Sequence, residues 1–146
     1  MNAEAAAREL HWESQVFEAG TDDDLTEAFE TMAKRNVGAV NVVPDVFFTN
    51  RRARIVTLAA QHAIPACYYF REFVIAGGLM SYGADIRETN RVAGIYVGRI
   101  LKGEKPADLP VQQSAKIELA INLKTAKALG IIFPTGLLVR ADEVIE

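Results

Sequence analysis

The sequence predicts an α/β lobe, a parallel sheet between two layers of helices in an α/β/α sandwich. Three observations carry that prediction. From Ser14 to Tyr69 the apolar pattern reads strand, helix, strand, helix, strand, an order that calls for right-handed crossovers and parallel pairing. The strand candidates Val37 to Val43 and Ile64 to Tyr69 are near-continuous apolar runs, as strands covered on both faces are. Between them the helix candidates repeat apolar residues at i, i+3, i+4 and i+7. A chain of 146 residues is long enough for one domain with a core of its own.

Taken in order, Ala3 to Leu10 is alanine-rich with alternating charge and reads as a short helix. Ser14 to Ala19 reads as a strand closed by Gly20. Thr21 offers its hydroxyl as an N-cap with Asp24 three residues on, the capping-box spacing, and the Asp22-Asp23-Asp24 run sits against the positive end of a helix dipole. Leu25, Ala28, Phe29 and Met32 turn that helix toward the sheet. Val37 to Val43 is a β-branched strand interrupted by Asn41 and ended by Pro44-Asp45. After Phe47 and Phe48, Thr49 or Asn50 caps a helix whose Ile55, Leu58, Ala59 and His62 share a face.

Ile64 to Tyr69 is the next strand, and Phe70-Arg71-Glu72 stands at its carboxyl end, where open α/β sheets bind ligands. Gly77-Gly78 breaks the short Phe73 to Ala76 segment, Leu79 to Tyr82 is extended, and Gly83 is expected to release the chain into a polar turn. Asp85 to Lys102 is the longest helix, with Ala93, Tyr96, Val97 and Ile100 on one face and Gly103 as its stop. Lys105 to Val111 is an extended linker held open by its prolines. Lys116 to Ile121 alternates polar and apolar, the pattern of an edge or half-exposed strand. Asn122 caps a helix over Leu123 to Leu129 that Gly130 ends, Ile131 to Phe133 leads to Pro134, and Leu137 to Ile145 closes the chain as a short helix or strand end.

Composition removes several classes of function. Half of the residues are hydrophobic and 24% charged, and a net charge of -3 with scattered arginines offers no basic field for nucleic acid. Cys67 is the only cysteine and lies in the most apolar strand, so it reads as a small buried filler, and no disulfide can form within one chain. MNAEAAARELHW lacks the apolar core of a secretory signal, and no stretch approaches the roughly 20 apolar residues of a membrane span. His11 and His62 are isolated and the aspartate run opens a helix, so no metal site is expected. With no nucleophile elbow, no phosphate loop and no histidine paired with Cys67 or Ser81, neither an enzyme nor a cofactor is expected.

Four strings carry a resemblance: REFVIAGGLMSYG, RVAGIYVGRILKGEKPADLPV, INLKTAKALG and LLVRADEVIE. In this order they are similar to the carboxyl-terminal half of the ABC-transporter substrate-binding protein family, solute receptors of the type I periplasmic-binding-protein fold that include tryptophan- and tyrosine-uptake receptors. The resemblance runs from about Glu9 to Glu146. It departs from the family at Thr135-Gly136, where members carry a more proline- or serine-rich turn. It implies that residues 1–146 are the carboxyl-terminal ligand-binding lobe of a receptor roughly twice as long. Such a receptor captures a small-molecule solute between two lobes and delivers it to ABC-transporter permease subunits. The setting implied is periplasmic or otherwise extracytoplasmic, with the export signal upstream of this chain. Residues 85–112 are then expected to pack on an amino-terminal lobe or on a second chain, which would make helix 85–102 a homodimer contact.

The candidate site follows from the strand ends Ala19-Gly20-Thr21, Val43-Pro44-Asp45 and Phe70-Arg71-Glu72, with Tyr82-Gly83 matching the family's strand-to-hinge segment. Tyr82 and Phe70 offer stacking surfaces, and Phe47 a weaker one. Arg71 can fork onto a carboxylate, while Glu72 or Asp45 can accept from an ammonium. Pro44 and Gly83 complete the edge. Such a set suits an amino acid or a small aromatic or apolar carboxylate. Against it stands a purely structural role, with Arg71 paired to Glu72 or Asp45 and Phe47 in the core. A ligand-sensing domain of a regulator or receptor with the same fold is the alternative function.

Overall fold

The computed structural model describes residues 3–111 and 116–146. Helix α1 (Ala3–Glu9) is followed by α2 (Asp22–Lys34), β1 (Val40–Val42), α3 (Val46–Asn50), α4 (Arg52–Gln61), β2 (Ala66–Tyr68), α5 (Arg71–Ile75) and β3 (Met80–Ala84). Then come α6 (Ile86–Leu101), a 3-10 turn (Pro106–Asp108), β4 (Ile117–Asn122), α7 (Leu123–Ala128), α8 (Thr135–Leu138) and β5 (Glu143–Ile145). The strands form one five-stranded sheet in the order β1-β2-β3-β4-β5, flanked by helices.

The first three strands are parallel, with Val42 level with Tyr68 and Tyr68 level with Ser81. β4 runs antiparallel to β3, from Met80 opposite Ile121 to Ala84 opposite Ile117, and β5 is parallel to β4. The sheet is thus mostly parallel, and its one reversal has a simple cause. The chain leaves the sheet after Ala84 and re-enters it beside that point, the Asp85 amide donating to the Lys116 carbonyl at 3.1 Å. A strand that returns at the end where its neighbour stopped can only run the other way.

Why α2 forms is written in its first turn. The Asp24 amide donates to the Thr21 hydroxyl at 3.1 Å, and the Asp24 carboxylate accepts from the Gly20 and Thr21 amides at 2.9 Å, which closes the capping box. The helix then buries Leu25, Phe29 and Met32 against Ile55, Leu58 and Ala59 of α4 and Ile64, Ala66 and Tyr68 around β2. Each such side chain contributes roughly 1.5–3 kcal/mol relative to an exposed one. Tyr68 stacks on Phe73 of α5 with ring centroids 4.6 Å apart. Gly78 admits that pair, since a Cβ there would lie 2.5 Å from the Tyr68 ring and 2.8 Å from the Phe73 carbonyl oxygen. His62 stacks on Phe29 at the end of α4, an ordinary helix-end contact.

Five local expectations need correction, the first being the Thr49 or Asn50 cap: both residues lie inside α3, and the N-cap of α4 is Arg51, with no side-chain cap bond. Residues 13–19 make no ladder, yet half-buried Phe17 and Ala19 alternate with exposed Val16 and Glu18, the pattern of a strand lacking a paired neighbour. The Phe73 to Ala76 segment is mostly helical, because Phe70 turns the chain directly into α5. Gly83 lies inside β3, and the strand continues to Ala84. β4 is no edge strand but lies between β3 and β5 with Glu118 to Asn122 buried. Glu118 looked solvent-facing in sequence, and it is inside because two arginines reach it.

Candidate functional site

β1, β2 and β3 end on one rim of the sheet, and the candidate residues follow those ends. Pro44 and Asp45 come two and three residues after β1 and are exposed. Asp45 is the N-cap of α3, its carboxylate accepting from the Phe47 amide at 2.7 Å and more weakly from Phe48 at 3.4 Å. Phe47 is half-buried against the core and carries the Arg51 guanidinium 4.4 Å above its ring. Its ring is therefore mostly committed to packing.

Along the β2 end, Phe70 is also half-buried against the core and meets Tyr69 edge-on at 5.0 Å. Tyr82, on β3, is 59% exposed. The ladder between the two strands ends with Tyr68 level with Ser81, one residue before both Tyr69 and Tyr82. Gly83 is buried there under the β2 to α5 turn: a Cβ would overlap the Tyr69 carbonyl oxygen and come within 2.9 Å of its ring carbons. Glu72 sits half-buried in the first turn of α5. The rim thus brings Tyr69, Phe70, Tyr82 and Gly83 together, with Asp45 and Pro44 two strands away.

Arg71 is engaged elsewhere than either Glu72 or Asp45. Its side chain is only 17% exposed, donates to Glu143 at the start of β5, and lies 3.6 Å from Glu118 of β4. Glu118 also accepts from Arg87 of α6 at 3.0 Å, and Arg87 reaches Asp85 at 3.2 Å. Lys116 closes the far side of Asp85 at 3.2 Å. Three cations and three carboxylates therefore alternate along the rim, joining α5, α6, β4 and β5. Burial works to raise the Asp85 carboxyl, but the Lys116 and Arg87 side chains and the Arg87 and Glu88 amides outweigh it and hold it at about 2. Asp85 is at once the N-cap of α6 and the anchor of this network.

Tyr69, Asp85, Arg87, Lys116, Glu118 and Glu143 were not legible as rim residues. Tyr69 had a signal, since it immediately precedes Phe70. The charged group had none, because Arg71 and Glu143 are 72 positions apart and meet only once β4 has reversed. In β2, directly beneath the rim, burial pushes the Cys67 thiol and the Tyr68 phenol up, so neither is poised to react near neutral pH. Among the described residues no cluster of His, Cys, Asp and Glu is arranged to hold a metal ion, and no helix is long and apolar enough to cross a membrane.

A mostly parallel sheet flanked by helices, with exposed aromatic and charged groups along one rim, is the architecture of the periplasmic-binding-protein class. Solved structures agree. A conserved domain protein from Vibrio cholerae superposes with a TM-score of 0.85 at 24% identity, over 97% of this chain and 47% of the other. An ABC domain in complex with L-Trp from Streptococcus pneumoniae gives 0.85 at 27% identity, over 97% and 49%. The ligand-free, open form of a Clostridium difficile substrate-binding protein with adhesive properties gives 0.67 at 19%, over 97% and 47%. The chain spans about half the length of each. Residues 15–145 match the family described as ABC transporter substrate binding protein, and the chain belongs to that family. Among curated proteins no sequence matches.

Proposed function

We propose that this chain is the carboxyl-terminal lobe of a two-lobed solute receptor serving an ABC uptake transporter. Solute is gripped between the Tyr82 rim and the companion lobe. The single observation that carries the reading is the open rim in a chain of this family: Tyr82 projects, Tyr69 and Phe70 flank it, and none of the described residues plugs it. Tyr82 and Phe70 stack on the solute, with Tyr69 added to them. Asp45, Glu72 and Pro44 border it, with the carboxylates placed to accept from an ammonium. Gly83 shapes the floor by letting Tyr69 cross it, and Phe47 stiffens the neighbouring turn. Arg71 acts through its two glutamates, which hold its charge at the rim's inner end.

An amino acid or a small aromatic or apolar carboxylate fits this set. The L-Trp complex of a relative 27% identical supports the aromatic amino acids first. The apolar face of α6, none of which is buried, supports the domain assignment: residues 85–112 cover a companion lobe and, on this reading, do not form a homodimer contact. Delivery to permease subunits on the extracytoplasmic side follows from the family. Titration of the isotope-labelled chain with L-tryptophan, L-tyrosine and benzoate, followed by amide and ring shifts, tests the site. Shifts are expected at Tyr69, Phe70 and Tyr82, weakened by Tyr82→Ala. Shifts confined to another surface would refute it.

A further inference from the structure

We propose that Arg71 is a positioning residue: drawn toward Glu118 and Glu143, it fixes the turn that carries Tyr69 and Phe70, and Arg87 of α6 competes with it for one oxygen of Glu118. The inference rests on the solute reading for what the turn serves, while how the turn is held is a matter of geometry alone.

α5 has one firm end and one weak end. At the firm end Phe73 and Val74 are buried, the Asn122 carboxamide donates to the Val74 carbonyl at 3.4 Å, and the Thr125 hydroxyl donates to the Gly77 carbonyl at 2.8 Å. At the weak end Phe70 occupies the N-cap position and offers no acceptor to the first turn, unlike Thr21, Asp45, Asp85 and Asn122 at α2, α3, α6 and α7. Five residues are too few to hold a helix by themselves. Partial burial of Phe70 sets how deep the turn lies, but apolar packing has no direction. Direction comes from Arg71, the first residue of α5, whose guanidinium reaches across to Glu118 of β4 and Glu143 of β5.

The Glu118 side chain is only 7% exposed, and both arginines converge on its Oε1. Arg87 donates to it at 3.0 Å. Arg71 Nε lies 3.6 Å from the same atom, is itself buried, and makes no hydrogen bond among the described residues. A buried donor without an acceptor costs stability that a short movement recovers. Arg87 is the more exposed of the two competitors and stands on α6, none of whose apolar face is buried. When Arg87 is drawn away, Arg71 closes on the freed oxygen and the turn ahead of it settles toward β4. The setting of the aromatic rim therefore depends on how firmly α6 holds Arg87.

Arginine side-chain and aromatic-ring NMR signals of the 146-residue chain test this without any solute. In Arg87→Gln the Arg71 Nε–H signal is expected to move downfield and to exchange more slowly with water. In Glu118→Gln it is expected to exchange faster, with the Tyr69 and Phe70 ring signals displaced and those of Phe29 unmoved. Should Glu118→Gln fail to fold, Glu143→Gln, at a half-buried position, gives the same reading of the turn. Titration with L-tryptophan is then expected to weaken roughly two- to thirtyfold in the glutamate variants and not in Arg87→Gln. A role in stability alone predicts equal weakening in all of them. That result, an Arg71 Nε–H signal indifferent to Arg87→Gln, or Tyr69 and Phe70 signals indifferent to both glutamate variants would each overturn the proposal. Failure of the unmodified chain to respond to L-tryptophan would count against the solute reading, since the arginine and ring signals decide the turn by themselves.

Discussion

Helices α2 and α6 are built by the same devices and end in opposite situations. Each starts on an acceptor side chain, Thr21 or Asp85, that takes main-chain amides of the first turn, and each carries an apolar stripe. α2 buries three of its residues in the core. α6 buries none, leaving Val97 56% and Leu101 82% exposed. Caps and periodicity therefore decide where a helix begins and which face is apolar. What that face meets is decided by the rest of the polypeptide, and on that point two nearly equivalent sequence patterns carry no distinguishing mark.

The contrast can be broken most directly by truncation. Phe29→Ala in α2 is expected to cost about 3–5 kcal/mol, whereas Val97→Ala in α6 stays within about 0.5 kcal/mol, both read from urea denaturation. Equal losses would mean that α6 already has a partner in solution. Next in size is Gly83→Ala, expected to cost about 1–3 kcal/mol, because the turn carrying Tyr69 must lift off β3. If its midpoint matches the parent, the close approach is not required. Thr21→Ala should cost about 1 kcal/mol by removing the cap of α2, and Thr21→Ser should restore most of it.

Smallest is an acid effect confined to α6. The Asp85 carboxyl is depressed to about 2, so its contribution is complete above the ordinary carboxylate value near about 3.9 and fades as pH falls toward 2. Helical circular dichroism should decline over that interval, and Asp85→Asn should flatten the decline while lowering the signal at neutral pH. An unchanged profile in the variant would assign the acid sensitivity to other carboxylates.

The elements most legible in the sequence were those fixed within a few residues. The Thr21 and Asn122 caps, the extent of α6 and the left-handed stop at Gly130, with φ of 69°, all follow from local chemistry. Whatever depended on distant pairing was not legible. Ser14 to Ala19 has the alternation of a strand, but a strand exists only when a neighbour bonds to it. Lys116 to Ile121 alternates like a surface strand because nothing nearby reveals that Arg71 and Arg87 neutralise Glu118. Of the candidate rim, Tyr82, Phe70 and Asp45 were visible as strand-end residues, whereas the ionic group that includes Arg71 was assembled from four separate stretches of chain.

The bond between the Asp85 amide and the Lys116 carbonyl has a topological consequence. Outgoing and incoming chain meet there, and Arg87 of α6 reaches Glu118 of β4 beside it, so the segment that begins at Ile86 is fastened to the sheet along one short seam. Splicing a tight turn across the seam would leave a plain hairpin of β3 and β4 with its register intact. By the same logic a tilt of α6 would be passed to β4 and β5 through Arg87, Glu118 and Arg71, which makes the seam the place where the sheet would register a load on that helix.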